Sequence, residues 1–349
     1  MHAKAGLAAA FATFAVAAAV ACDDGGPPSH SASTATVART GEAPADRLTT
    51  LGRDVLALAS AGDADAIWER FDERLVAAYD REEWATTFAG TFGEFGALGE
   101  RISERTERFL GFDTYHAAHR FENVEDVIEL IIAFDDAERI SLATYLPLHE
   151  APSDYLDYEA VTPLRLPFNG EWFVVWGGRT ASTNHHAGHV DQRFAIDFVL
   201  LDGERTFEGD GLLNEDYHCF GEPVLAPAEG SVVVAVDGID DNAIGETNAA
   251  APAGNHMVID HGNGEFSLLA HFMKDSVLVQ QGSDVAPGQT LARCGNSGNS
   301  SEPHVHYHLQ NGPMPFQAEG LPAFFQDYTA DGTAVDRGEP LRGQTVSNR

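Results

Sequence analysis

The densest chemistry in this sequence lies in Pro303-His304-Val305-His306-Tyr307-His308-Leu309, which follows the glycine-rich run Cys294-Gly-Asn-Ser-Gly-Asn-Ser-Ser301. The three histidines alternate with Val305, Tyr307 and Leu309, so a β-strand here places all three imidazoles on one face. Neutral imidazole is the commonest metal ligand, and a His-x-His pair can aim one ring at a metal while its neighbour serves the chemistry beside it. A lone pair of this kind is also ordinary on a half-exposed strand, so a metal reading needs ligands from elsewhere. Upstream, Asn184-His185-His186-Ala-Gly-His189-Val-Asp-Gln-Arg-Phe-Ala-Ile-Asp197-Phe198 is a loop of histidines ending in an aspartate among apolar residues. A buried aspartate is costly unless it is paired or metal-bound. Two histidines and one aspartate leave a fourth position on zinc for water, as in catalytic sites, and zinc lowers the pKa of that water toward about 7. His271, ending the run Phe266 to Phe272, and His304 would flank such a water. One can take its proton while the other steadies the oxyanion or the leaving amine.

These residues need a scaffold, and the chain divides accordingly. Residues 46–150 read as an α+β domain: Leu51, Val55, Leu56 and Leu58, then Ala66, Ile67, Phe71, Leu75 and Val76, fall near helical spacing, and Glu82 to Phe92 offers a third helix. Strands are expected over Thr114–Phe121, Val127–Asp135 and Arg139–Tyr145, with Asp135-Asp136 a turn. Helices on a curved antiparallel sheet result, with His116 and His119 as ordinary strand residues. Residues 151–170 carry Pro152, Pro163 and Pro167 and read as an extended linker. Residues 171–330 read as a mostly antiparallel β domain of short strands, including the hairpin His256–His261, Gly262-Asn-Gly264, Glu265–Phe272. Residues 331–349 are expected to form a loosely ordered tail.

Composition narrows the partners. With 21 basic against 54 acidic residues the formal charge is −33, which opposes binding to nucleic acid or to an anionic membrane surface. Lys4 followed by an uncharged run from Ala5 to Val20 reads as an export signal over residues 1–22. Its small residues before Cys22 resemble the bacterial lipoprotein signal, which implies a lipid anchor at Cys22 and a place in the bacterial cell envelope. Residues 23–45, rich in Gly, Pro, Ser, Thr and Ala, suit a flexible linker behind such an anchor. Once Cys22 is set aside, Cys219 and Cys294 remain as a pair expected to form a disulfide in an oxidising compartment.

The order of motifs carries a resemblance. A histidine loop ending in Asp197, a hairpin ending Leu-Ala-His271, then Gly288-Gln289, Gly295-Asn-Ser-Gly298 and Pro-His304-x-His306 is similar to the lysostaphin-type zinc endopeptidases, which cut peptide cross-bridges of bacterial peptidoglycan. The likeness spans about Trp172 to Pro313. It implies one Zn2+ per chain held by His186, Asp197 and His306, with His271 and His304 catalytic, and peptidoglycan peptides as substrate. Ten residues separate His186 from Asp197, where the commonest family pattern has three, so the first ligand stays open to His189 and then His185. His308 stands where relatives carry Glu or another polar residue, a place from which it can orient a ligand. Gly62-Asp63 to Phe71, Phe92 to Gly96 and Phe134 to Ile140 resemble the cone-shaped, cystatin-like domains found before bacterial hydrolases. The alternative reading is a non-catalytic envelope protein that binds peptidoglycan or activates another wall hydrolase; intact candidate ligands favour the enzyme.

Overall fold

In the computed structural model, residues 44–349 are described. The export signal, Cys22 and all but the last two residues of the 23–45 linker lie outside the described residues. The first domain starts with four helices, α1 (Pro44–Ala61), α2 (Ala64–Trp68), α3 (Glu73–Ala78) and α4 (Arg81–Phe95), one more than periodicity suggested. Asp63, Asp72 and Asp80 each accept backbone N–H bonds at the start of α2, α3 and α4, which divides the segment into short helices. Gly96, at φ 74°, ends α4 in a conformation that suits glycine.

A meander follows: β1 (Leu98–Phe109), β2 (Phe112–Phe121), β3 (Val124–Phe134) and β4 (Ile140–Pro147), paired in that order and antiparallel throughout. Strand β1 was not anticipated, because its charged run Glu100-Arg-Ile-Ser-Glu-Arg-Thr-Glu-Arg108 occupies an edge strand and buries no continuous apolar face. One face of the sheet packs Tyr115, Ala117, Ile128, Leu130 and Ile132 against Val55, Leu56 and Ile67 of the helices. Alternation along the strands sends His116 and Glu129 to the other face.

The second domain contains β5 (Trp172–Trp176), β6 (Ile196–Val199), β7 (Pro223–Leu225), β8 (Gly230–Val236), β9 (Asn255–Asp260), β10 (Phe266–Phe272), β11 (Asp284–Val285), β12 (Thr290–Arg293), β13 (Val305–Gln310), β14 (Gly320–Leu321), β15 (Phe325–Ala330), β16 (Thr333–Gly338) and β17 (Thr345–Asn348). The large sheet runs β11-β8-β9-β10-β13-β6-β5-β17-β15-β16, with β14 on β13, while β7 and β12 form a separate pair. Every pairing is antiparallel, so the domain is the antiparallel β unit that the short strands implied.

Three expectations are corrected. The stretch 151–170 does not merely connect domains: Leu164, Leu166 and Phe168 are wholly buried in the β-domain core, and the buried Glu265 carboxylate accepts bonds from the Val161 and Thr162 amides and from Tyr158. The tail 331–349 is not loose, because β17 lies between β15 and β5 and buries Val346 completely. Its short Thr-Val-Ser-Asn segment has no strong pattern of its own and takes its order from the two strands that flank it. Finally, Cys219 and Cys294 are free, buried thiols rather than a disulfide. The Cys219 thiol donates to the Pro303 carbonyl at 3.0 Å. Burial, and then hydrogen bonding with Cys219, pushes the Cys294 thiol well above its usual range. Hydrogen bonding in a dry site satisfies this pair without a covalent bond.

The domains share a boundary. Phe112 and Ala133 of the first pack with Phe207 and Tyr217 of the second, and Arg342 reaches Glu107 at 2.8 Å while lying over the Phe109 ring.

Candidate metal centre

Strand β13 is central to the site and has β6 on one side and β10 on the other. The register sets His306 directly opposite Asp197 of β6 and opposite Ala270 of β10. A cross-strand pair of this kind brings two side chains together on one face, so pairing alone delivers Asp197 to His306. His271 arrives by a different device. The β10–β9 register breaks between Leu269 and Phe272, and His271 has φ 62°, a left-handed conformation that a non-glycine residue seldom adopts. The irregularity turns the ring toward the site, where its centroid is 5.5 Å from that of His306 and 4.8 Å from that of His304.

The histidine loop is held by Asn184, which is fully buried. Its side-chain amide donates to Gly178 O and Ala195 O, and its Oδ1 accepts from the His186 amide, starting a short 3-10 turn over His185–Gly188. This presents His186 Nε2 to Asp197 Oδ2 at 2.9 Å. His306 Nδ1 stands 2.9 Å from Asp197 Oδ1, and His304 Nε2 stands 3.8 Å from the same oxygen. The five residues singled out in the sequence therefore converge. Of the alternates for the first position, His185 comes within 3.6 Å of Asp197, whereas His189 belongs to neither cluster of ligand-capable atoms found among the described residues; geometry reverses their order.

Hydrogen bonds fix which ring atoms are free. His271 Nδ1 lies 2.8 Å from Ser297 O and His304 Nδ1 lies 2.9 Å from Glu302 O. A carbonyl can only accept, so both rings carry their proton on Nδ1 and turn a bare Nε2 inward. Gly254 and Gly298 make the first of these bonds possible: a Cβ on Gly254 would meet Ser297 O at 2.4 Å, and one on Gly298 would meet the Gly254 amide nitrogen at 2.4 Å. Burial lowers the His271 ring well below its ordinary pKa, with His304 and His306 adding to the effect.

Behind His306 stands His308, in the ligand-orienting place read from the sequence, while Gln310 and the Gly312 carbonyl beyond it were missed. His306 Nε2 is 3.1 Å from His308 Nδ1, His308 Nε2 is 2.7 Å from Gln310 Oε1, and the Gln310 amide donates to Gly312 O. Reading back from that carbonyl, Gln310 Oε1 accepts from His308 Nε2–H, and His308 Nδ1 accepts from His306 Nε2–H. His306 Nδ1 is then a bare lone pair facing a carboxylate oxygen. The continuing alternation His306-x-His308-x-Gln310 was the available signal.

Two facing acceptors 2.9 Å apart repel unless a cation lies between them, and this is the observation that tests for a metal. The donor set meets it. Burial lowers the His186 ring to about 4 and the His306 ring to about 3, so both are neutral and ligand-competent at pH 7. Burial pushes the Asp197 carboxyl up, but the charges of His186 and His304 and hydrogen bonds from His185 and His186 outweigh it and hold the group well below its usual range. Two neutral imidazoles and one carboxylate suit zinc and leave room for a further ligand.

Comparison with known proteins bears on the strand histidines of this site. Residues 215–318 match peptidase family M23, a span that includes His271, His304 and His306 and begins downstream of His186 and Asp197. Peptidoglycan DD-endopeptidase ShyA of Vibrio cholerae is 35% identical over 89 residues, covering 26% of this chain and 17% of that protein. Lipoprotein NlpD of Yersinia enterocolitica is 31% identical over 90 residues, covering 26% of this chain and 78% of that protein. The chain spans 17% and 16% of the length of the first two curated relatives it matches. Among solved structures, the catalytic domain of lysostaphin from Staphylococcus simulans shares 20% identity over 43% of this chain and 86% of that one, at a TM-score of 0.27, too loose a superposition to assign any residue.

Proposed function

The chain belongs to peptidase family M23, and from that premise we propose that it is a zinc-dependent endopeptidase that cleaves peptide cross-bridges of bacterial peptidoglycan. His186, Asp197 and His306 hold one zinc per chain in this reading, with His271 and His304 catalytic. The observation that carries it is His306 Nδ1 held 2.9 Å from Asp197 Oδ1 while its other ring nitrogen is engaged by His308, an arrangement that a cation reconciles.

Zinc, when bound, supplies Lewis acidity toward the scissile carbonyl and acidifies water. The remaining work falls to side chains. His304 and His271 each offer a bare Nε2, which gives an attacking water two acceptors. His304 is the better proton carrier, because its Nε2 faces the Asp197 carboxylate, which would steady the imidazolium, and its side chain retains some exposure. Its Nδ1–H bond to Glu302 O keeps the ring aimed throughout. His271, buried and held neutral, turns its bare Nε2 inward and can accept from the attacking water and orient it.

The first domain reads as the cystatin-like unit over residues 46–150, a reading supported by its short helices against a four-stranded meander, and residues 171–330 as the peptidase unit. Export with lipid attachment at Cys22 would set both in the envelope. Purified protein with zinc measured per chain, incubated with cross-linked muropeptides, tests the reading. One zinc per chain and release of cross-bridge fragments are expected. A folded protein that takes up no zinc and leaves the muropeptides intact overturns it in favour of a wall-binding or activator role.

A further inference from the structure

Behind the proposed ligand His306 lies a closed relay: His306 Nε2–H to His308 Nδ1, His308 Nε2–H to Gln310 Oε1, and the Gln310 amide to Gly312 O, the first two at 3.1 and 2.7 Å and the last at 2.6 Å. Its three side chains occupy alternate positions of β13 and point to one face. His308 is 1% exposed and Gln310 0%, so water cannot replace either partner. We infer that His308 and Gln310 are positioning residues that set the tautomer of His306, holding its Nδ1 free of a proton so that this atom can bind the metal. The inference rests on the zinc peptidase reading and specifies how that site is kept ready.

The relay works against a competing hydrogen bond. A neutral His306 could carry its proton on Nδ1 and donate it to the Asp197 carboxylate 2.9 Å away. Such a charge-assisted bond is roughly twice as strong as one between neutral groups, and it would occupy the atom and the oxygen that the metal needs. An acceptor at Nε2 reverses the preference, because the Nδ1–H tautomer would leave the lone pairs of His306 Nε2 and His308 Nδ1 facing each other 3.1 Å apart. His308 can be that acceptor only while its own proton sits on Nε2, and Gln310 ensures this. The Gln310 amide is in turn oriented by a backbone carbonyl at the end of the strand. The chain of dependence ends there, since a carbonyl has no alternative protonation state.

The test uses the full chain and three variants, His308→Leu, His308→Gln and Gln310→Leu. Zinc affinity is measured by chelator competition and fold by circular dichroism. Partners that orient a ligand are worth about 10–100-fold in metal affinity. His308→Leu should weaken zinc by that factor. His308→Gln, which keeps an acceptor for Nε2–H, should restore most of it. Gln310→Leu should give an intermediate loss. A folded His308→Leu protein that binds zinc within twofold of the wild type overturns the inference. Should His308→Leu fail to fold, long-range 1H–15N spectra of the zinc-free wild type and Gln310→Leu proteins decide. They should show the His306 proton on Nε2 in the wild type and shifted toward Nδ1 in the variant, and an unchanged tautomer overturns the relay. A wild type that binds zinc and cleaves muropeptides beside unaffected variants removes only this inference, whereas a wild type that binds no zinc removes the peptidase reading with it.

Discussion

Among the described residues, two clusters bring strand histidines onto carboxylates, and they are built to opposite specifications. In the first domain, His116 lies 2.9 Å from Glu107 and 3.3 Å from Glu129, as closely as any ring approaches Asp197 in the second. There, however, Arg105 reaches Glu107 at 3.0 Å and Glu129 at 3.5 Å, and Arg342 reaches Glu107 at 2.8 Å. Two guanidinium groups answer two carboxylates, and arginine is charged at every relevant pH. Around Asp197 every ion-pair partner among the described residues is an imidazole: His185, His186, His304 and His306. A carboxylate closed by arginine is finished, while one ringed only by imidazoles has no permanent counter-charge. Strand histidines mark a site only when the carboxylate beside them has no permanent counter-charge.

The largest effects should come from breaking the open cluster. Asp197→Asn keeps the shape and removes the charge, so zinc per chain should fall to near zero and muropeptide cleavage should fall by more than the loss of a single acid or base would give. Atomic absorption and a digest check this together, and full zinc occupancy in the variant would remove Asp197 from the ligand set. Next in size, His304→Ala and His271→Ala should each lower the turnover rate by about 10²- to 10⁴-fold while leaving zinc bound. Zinc lost from the His304 variant but kept on replacing His306 would exchange their roles.

How much of this contrast could be read in the sequence depends on the kind of signal. Alternation in Pro-His304-x-His306-x-His308 fixed a strand face, and that face is the one the sheet presents to Asp197. The aspartate within Phe-Ala-Ile-Asp-Phe reads as buried because its neighbours are apolar, and it is 4% exposed. What sequence could not show is register. Whether His306 or His304 faces Asp197 is set by which residues of β6 and β13 pair, a property of two strands more than a hundred residues apart. The same limit explains the tail, whose β17 is ordered by β5 and β15 rather than by its own pattern. It also explains the free thiols, because counting cysteines says nothing of the Pro303 carbonyl that occupies one of them. His185 and His189 differ by a turn of backbone that Asn184 imposes, and only the folded loop separates them.

Acid should distinguish the two domains by the pH at which each weakens. In the zinc-free protein, His186 and His306 are lowered to about 4 and about 3 by burial from an ordinary 6.5. Between 6.5 and those values the unfolded chain binds protons that the folded chain refuses, so stability falls as pH drops through this window, by an amount on the order of a few kcal/mol. In the first domain, hydrogen bonding to Arg53 is the leading cause that holds Glu104 down to about 2 from 4.5. Its contribution is present above 4.5 and disappears only as pH falls from there toward 2. Unfolding followed by probes in each domain should show the second domain weakening first. Simultaneous loss beginning below pH 4.5 would mean that the zinc-free histidines are not held neutral by burial.

The smallest expected effect separates the two clusters by size. In zinc-free protein, Asp197 is a buried carboxylate that the neighbouring histidines hold below its usual range, so its ionised form contributes to stability. Replacing it with asparagine removes that contribution but supplies an amide N–H that His306 Nδ1 can accept, so the net loss should stay below about 1 kcal/mol. Glu129→Gln in the first domain has no such offset. It takes away a carboxylate that is 3% exposed and already answered by Arg105 and His116, and should cost about 1–3 kcal/mol because the guanidinium and ring lose their charged partner. Urea unfolding after chelation, compared for the two variants and the wild type, gives both effects in one experiment. Glu129→Gln should also retain zinc and turnover. If both substitutions destabilise equally, Asp197 already has a satisfied counter-charge without metal, and the distinction between a closed cluster and an open one fails at its premise.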